Sequence, residues 1–153
     1  MHRWKSLLAF LVVTFAAAAL GSLSMPDAWY AALNKPSFNP PNWIFGPVWT
    51  VLYVLIAVAG WRIWKQAGDW CFALSLWLLQ LVLNGLWTPL FFGMHRIDLA
   101  LVDIAALVLV LIATIVAFFK RDRVAAWMLI PYLSWVSFAT LLTASIYRLN
   151  PAG

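Results

Sequence analysis

The chain contains no glutamate, five aspartates, two histidines and one cysteine among its 153 residues. Each shortage removes a class of chemistry. Glutamate is one of the usual carboxylates for general acid–base work, and the lone Cys71 excludes an intrachain disulfide and any CxxC pair. His2 and His95 fall in polar ends on opposite faces of the apolar runs, so they cannot share one metal site or form one acid–base pair. The chain has no Gly-rich phosphate loop, and no serine has a histidine neighbour. Ser134 and Ser137 sit in an apolar run, where a hydroxyl is expected to bond the carbonyl four residues back. Charged residues make up 10% of the chain, against roughly 25% in a soluble domain. These shortages point away from a soluble catalyst and from a resident metal or cofactor. With no basic patch on a polar face, they point away from nucleic acid as well.

What is abundant is apolar surface, at 65% of residues, and tryptophan, of which there are eleven. Runs long enough to cross a bilayer recur along most of the chain. The fold class this predicts is all-α: a polytopic membrane protein with one five-helix transmembrane domain over 1–153. The helices are expected at 5–23, 43–65, 70–92, 99–119 and 124–147, joined by a proline-rich loop over 24–42. The basic, then apolar, then small-residue N-terminus imitates a signal peptide. Because everything after it is membrane, it is read as a spanning helix, with a cleaved signal as the alternative. Its second half, Ala16 to Ala19 with Gly21 and Ser22, suits close helix packing in lipid. Pro26 is expected to end it, and Asp27 to cap a short amphipathic piece over 27–34.

Orientation follows from the cations. Arg3, Lys5, Arg62, Lys65, Lys120, Arg121 and Arg123 share one side, and Lys35, Arg96 and Arg148 the other. Seven against three places the N-terminus in the cytoplasm of a bacterial membrane and the proline loop outside.

The segment Lys35–Tyr53, KPSFNPPNWIFGPVWTVLY, holds four of the eight prolines. Proline fixes its own φ and extends the residue before it, so 35–42 reads as a stiff loop rather than a helix. Three helices then carry stripes at three- and four-residue spacing. These are Phe45, Trp49, Leu52, Tyr53 and Ile56; Trp77, Gln80, Asn84, Trp87, Thr88 and Phe91; and Trp135, Phe138, Ala139 and Leu142. Such stripes serve helix packing or line a pocket. Asn84, one turn from Gln80, favours the pocket, because polar groups at membrane depth turn toward protein or a cavity. Asp103 reads as an ionised group near the interface, a helix-packing hydrogen bonder or a proton site, in that order. A flat aromatic or sterol-like ligand suits apolar walls with a few polar groups. The propionates of a tetrapyrrole could meet Lys35 or Arg148 at the outer rim.

Four segments carry a family resemblance: the proline segment, LNGLWTPLFFG (Leu83–Gly93), ALVD (Ala100–Asp103) and PYLSWVSFAT (Pro131–Thr140). In order and spacing they resemble the tryptophan-rich sensory protein / translocator protein family, also called the peripheral-type benzodiazepine receptor. The resemblance implies a five-helix bundle, commonly a homodimer, that binds porphyrins, sterols and benzodiazepine-type ligands between helices under the first loop. Matched by motif, the ligand-binding residues are Trp29 and Tyr30 before the loop, Phe38 and Pro41 in it, and Trp49 and Tyr53 after it. Asn84, Trp87, Trp135, Phe138 and Ala139 complete the set. Relatives often carry tryptophan at Phe38. The family's sterol pattern, L/V-x₁₋₅-Y-x₁₋₅-K/R, is altered here: Ala144 stands at the aromatic position and Tyr147 directly adjoins Arg148. A tetrapyrrole is therefore favoured over cholesterol. The expected function is a membrane receptor, sensor or carrier for porphyrins. The alternatives are light- and oxygen-dependent porphyrin breakdown through Trp49 and Trp135, and a structural, partner-binding membrane protein.

Overall fold

A computed structural model describes residues 3–22 and 28–150. The expected stop at Pro26 and cap at Asp27 lie outside those residues. Helix α1 covers Arg3–Ser22, a short α2 Ala28–Ala32, α3 Asn42–Ala67, α4 Phe72–Thr88, α5 Ile97–Phe119, α6 Arg123–Met128 and α7 Ile130–Leu149. Four spans are long and apolar enough to cross a membrane: Trp43–Ala67, Phe72–Gly93, Ile97–Phe119 and Arg123–Leu149. A shorter apolar helix, Trp4–Leu20, joins them. The molecule is a helical bundle of an integral, multi-pass membrane protein.

The helix ends follow from local chemistry. Extended Pro41 precedes α3, and Pro47 lies inside it, where its missing N–H leaves the Trp43 carbonyl without an intrahelical donor. Gly68 ends α3 at φ 77°, its N–H donating to the Trp64 carbonyl at 2.9 Å. That left-handed conformation is what favours glycine there. Asp122 caps α6 by accepting from the Val124 and Ala125 amides, and it pairs with Arg62, whose Nε lies 2.9 Å from Oδ2. Burial pushes the Asp122 carboxyl up. The bonds from Arg62 and the two amides outweigh burial and hold it below its ordinary value. Leu129 separates α6 from α7 just before Pro131, whose ring and absent N–H interrupt the ladder.

The span expected as one α-helix over 70–92 is α-helical only over Phe72–Thr88 and then widens into a π-helical turn, Pro89–Gly93. Pro89 cannot donate to the carbonyl four residues back. The chain continues in a five-residue register, with the Met94 amide donating to the Pro89 carbonyl at 2.8 Å.

The helices form a closed ring: α1 lies against α3 and α4, α4 against α5, α5 against α6 and α7, and α6 against α3. Ala17 of α1 meets Gly85 of α4, whose added Cβ would lie 3.6 Å from the Ala17 carbonyl. The ring is filled toward the basic end by Ile56, Ala59 and Ile63 of α3, Leu74 and Trp77 of α4, and Leu111, Ile115 and Phe118 of α5. Gly60 gives the close approach there. A Cβ on it would stand 2.7 Å from the Trp77 indole, which lies on the α3 backbone and donates from Nε1 to the Ile56 carbonyl at 3.0 Å.

Candidate functional site

In the other half of the bundle the helices leave a cavity of about 640 Å³. Helix α3 contributes Phe45, Trp49 and Tyr53, α4 contributes Asn84, Trp87 and Thr88, and the π turn Phe91 and Phe92. Helix α7 gives Trp135, Val136, Ala139, Leu142, Thr143 and Ile146; α5 gives Ile104 and Leu107, with Ala18 and Tyr30 closing the edges. The volume lies within the roughly 300–1,000 Å³ of small-molecule sites. A second cleft of about 480 Å³ at the basic end is open and polar, and its Arg62 and Asp122 are committed to each other.

Aromatic rings line much of the cavity. Trp49 stacks on Tyr53 with centroids 5.4 Å apart and an interplanar angle of 29°, and Trp87 stacks on Phe91 at 4.9 Å and 21°. Trp135 meets Phe45 edge-on at 5.8 Å and leans on Phe138 at 5.6 Å. The π turn sends Phe91 inward, where it is buried, and sets Phe92 edge-on to Trp87 at 5.8 Å.

A buried hydrogen-bond chain forms the polar part of the wall. Tyr53 Oη donates to Asn84 Oδ1 at 3.0 Å, and Asn84 Nδ2 donates to Tyr132 Oη at 2.7 Å. Tyr132 donates to Gln80 Oε1 at 2.8 Å, and Gln80 Nε2 to the Trp77 carbonyl at 2.7 Å. Four buried polar atoms among the described residues have no partner: the indole nitrogens of Trp87 and Trp135, Asp103 Oδ2 and Asn39 Oδ1. Two of the four belong to tryptophans that line the cavity. A buried donor left unmatched costs about 1–3 kcal/mol.

Residues 33–41 and α2 sit over the cavity end of the bundle and are tied down. The Asn34 amide donates to Asn150 Oδ1 at 3.0 Å, and Asn150 Nδ2 donates to the Asn34 carbonyl at 2.8 Å. Lys35 Nζ lies 4.5 Å from the Tyr30 ring centre and donates to the Ala31 and Leu33 carbonyls, so its ammonium is engaged at the end of α2. Arg148 is exposed.

Of the residues singled out from the sequence, Tyr30, Trp49, Tyr53, Asn84, Trp87, Trp135 and Ala139 line the cavity together, joined by Phe45, Thr88, Phe91 and Leu142 of the three stripes. Phe138 stands behind, touching Trp135 and, at 6.1 Å, Phe38. Trp29 is stacked on His95 at 4.3 Å instead. Phe38 is 44% exposed and Pro41 is exposed, both away from the cavity lining. The residues missed were Ala18, Gly46, Phe92, Ile104, Leu107, Val136, Thr143 and Ile146. Apolar or small side chains on helices surrounded by lipid carry no signal that separates a cavity wall from a lipid-facing or packed one.

Comparison with known proteins adds relatives. A model of the TspO/MBR family matches residues 8–148. A tryptophan-rich sensory protein of Cereibacter sphaeroides is 43% identical over 147 residues, covering 96% of this chain and 92% of that one. The tryptophan-rich protein TspO of Archaeoglobus fulgidus is 42% identical over 147 residues, 95% and 94% of the two chains. The human translocator protein is 40% identical over 126 residues, 80% and 75% of the two.

Proposed function

The chain belongs to the TspO/MBR family, and from that premise we propose that it is a membrane receptor, sensor or carrier that binds a porphyrin in the aromatic cavity. The observation that carries this reading is the cavity itself, about 640 Å³, walled by Trp49, Trp87 and Trp135 with Asn84 and Tyr53 as its polar groups. A flat ring system buries large apolar area against indole faces, and a few fixed polar groups set its orientation. Names such as "sensory" and "translocator" among the relatives agree with ligand recognition. Sterols rank second, because Ala144 and the adjoining Tyr147 and Arg148 depart from the sterol pattern. The proposed setting is a homodimer in a bacterial membrane, with the N-terminus in the cytoplasm on the cation count.

Protoporphyrin IX titrated into detergent-solubilised protein is expected to quench tryptophan fluorescence saturably. The Trp49→Ala, Trp135→Ala double variant should weaken the affinity at least about tenfold, which is roughly 1.4 kcal/mol. Undiminished affinity in a folded double variant would place porphyrin binding elsewhere.

A further inference from the structure

The chain of hydrogen bonds behind the cavity has a direction, and that direction is dictated from its far end. A backbone carbonyl can only accept. Gln80 must therefore turn its Nε2 toward the Trp77 carbonyl, 2.7 Å away, which leaves Oε1 facing Tyr132 at 2.8 Å. An amide oxygen also can only accept, so the single Tyr132 proton goes to Gln80. Tyr132 is fully buried, and its lone pair must take a hydrogen from Asn84 Nδ2 at 2.7 Å. Asn84 then turns Oδ1 toward Tyr53, and the Tyr53 proton is spent on it at 3.0 Å. Reversing any one link would set two lone pairs or two protons against each other at these distances.

We infer that the Trp77 carbonyl, acting through Gln80, Tyr132 and Asn84, fixes the Tyr53 hydroxyl as a hydrogen-bond acceptor, so that this wall selects ligands presenting an N–H or O–H donor. Tyr53 and Asn84 both line the cavity, whereas Gln80 and Tyr132 stand behind it. Tyr53 and Asn84 are thus binding residues, and Gln80 is a positioning residue that never touches the ligand. A buried hydroxyl that has no proton to give rejects an acceptor more strongly than it rewards a donor, because two lone pairs are then forced together without water. The inference rests on the cavity being the ligand site and names the chemistry it prefers.

Carbazole and dibenzofuran test it. They are flat tricyclic molecules of nearly the same shape, one with an N–H and the other with an ether oxygen at the same place. Each would be titrated against the full-length protein by tryptophan quenching in the same detergent, beside protoporphyrin IX. The wild type is expected to bind carbazole at least about tenfold more tightly. Tyr53→Phe should bring the ratio close to one. Gln80→Met should also flatten it, because Tyr132 and Asn84 are then free to reverse and Tyr53 can donate. If Gln80→Met does not fold, the wild type and Tyr53→Phe decide the matter. Equal binding in the wild type, a preference for dibenzofuran, or a preference that survives Tyr53→Phe overturns the inference while leaving saturable porphyrin quenching intact. Loss of quenching by all three ligands overturns the site reading and the inference with it.

Discussion

The two halves of the bundle use the same helices and the same kind of residue to opposite ends. Toward the basic end Trp77 packs on α3 where Gly60 has no Cβ to meet it, with Phe10 of α1 against the same indole at 5.1 Å. Toward the loop end Trp49, Trp87 and Trp135 face other large rings: Tyr53, Phe91 and Phe45. Trp49 and Tyr53 stack within α3 and Trp87 and Phe91 within one span, so these rings pave single helix faces, and of the three pairs only Trp135 and Phe45 meet across helices. In the packed half an indole crosses a helix interface to seat on a glycine, whereas at the cavity two of the three indoles stack on rings of their own helices.

The contrast can be broken most severely at Trp77. Trp77→Ala should cost about 3–5 kcal/mol, the range for truncating a buried aromatic, read as a lower midpoint of denaturation in detergent. Filling the same contact from the other side, Gly60→Leu should cost about 1–3 kcal/mol by overpacking and show in the same assay. Asp122→Ala removes a helix cap and should cost about 1 kcal/mol at neutral pH. The folded Asp122 carboxyl lies below its ordinary value of about 4. Its contribution is therefore complete above that value and lost as pH falls through the lower, folded one. The deficit of the variant should shrink over that acid range when stabilities are compared by denaturant titration. Trp49→Leu, at the half-buried cavity wall, should cost about 1 kcal/mol, the common value for a point change, while weakening porphyrin quenching. A Trp49→Leu loss equal to that of Trp77→Ala would erase the distinction between the halves.

The helical membrane bundle was legible in the sequence because the length of an apolar run is set by the bilayer, whatever the packing. The π turn was not legible. A proline near a helix end can stop the helix or shift its register, and Pro89 carries no mark of which. The aromatic and amide members of the wall stood out because bulky rings and a membrane-depth amide are conspicuous. Ile104, Leu107 and Ile146 did not, since the lipid-facing side of α5, with Val102, Leu109 and Val116 exposed, is built from the same residues. Lys35 was read as a cation at the outer rim that could meet a propionate. Its ammonium instead closes the α2 carbonyls over Tyr30, a local use that charge counting cannot reveal. Tyr132 belonged to a recognised motif, PYLSWVSFAT, yet its importance lies in a single proton whose direction only the assembled chain of partners can fix.

The clasp between Asn34 and Asn150 joins positions 116 residues apart. A growing polypeptide therefore inserts its first four helices before the residue that fastens the first loop has been made. Helix α7 is itself a cavity wall, through Trp135, Ala139 and Ile146, so the chamber and its fastening are completed together once α7 is made. Capture of a ligand would then require α7 in place, and a nascent protein without it would have neither that wall nor the clasp.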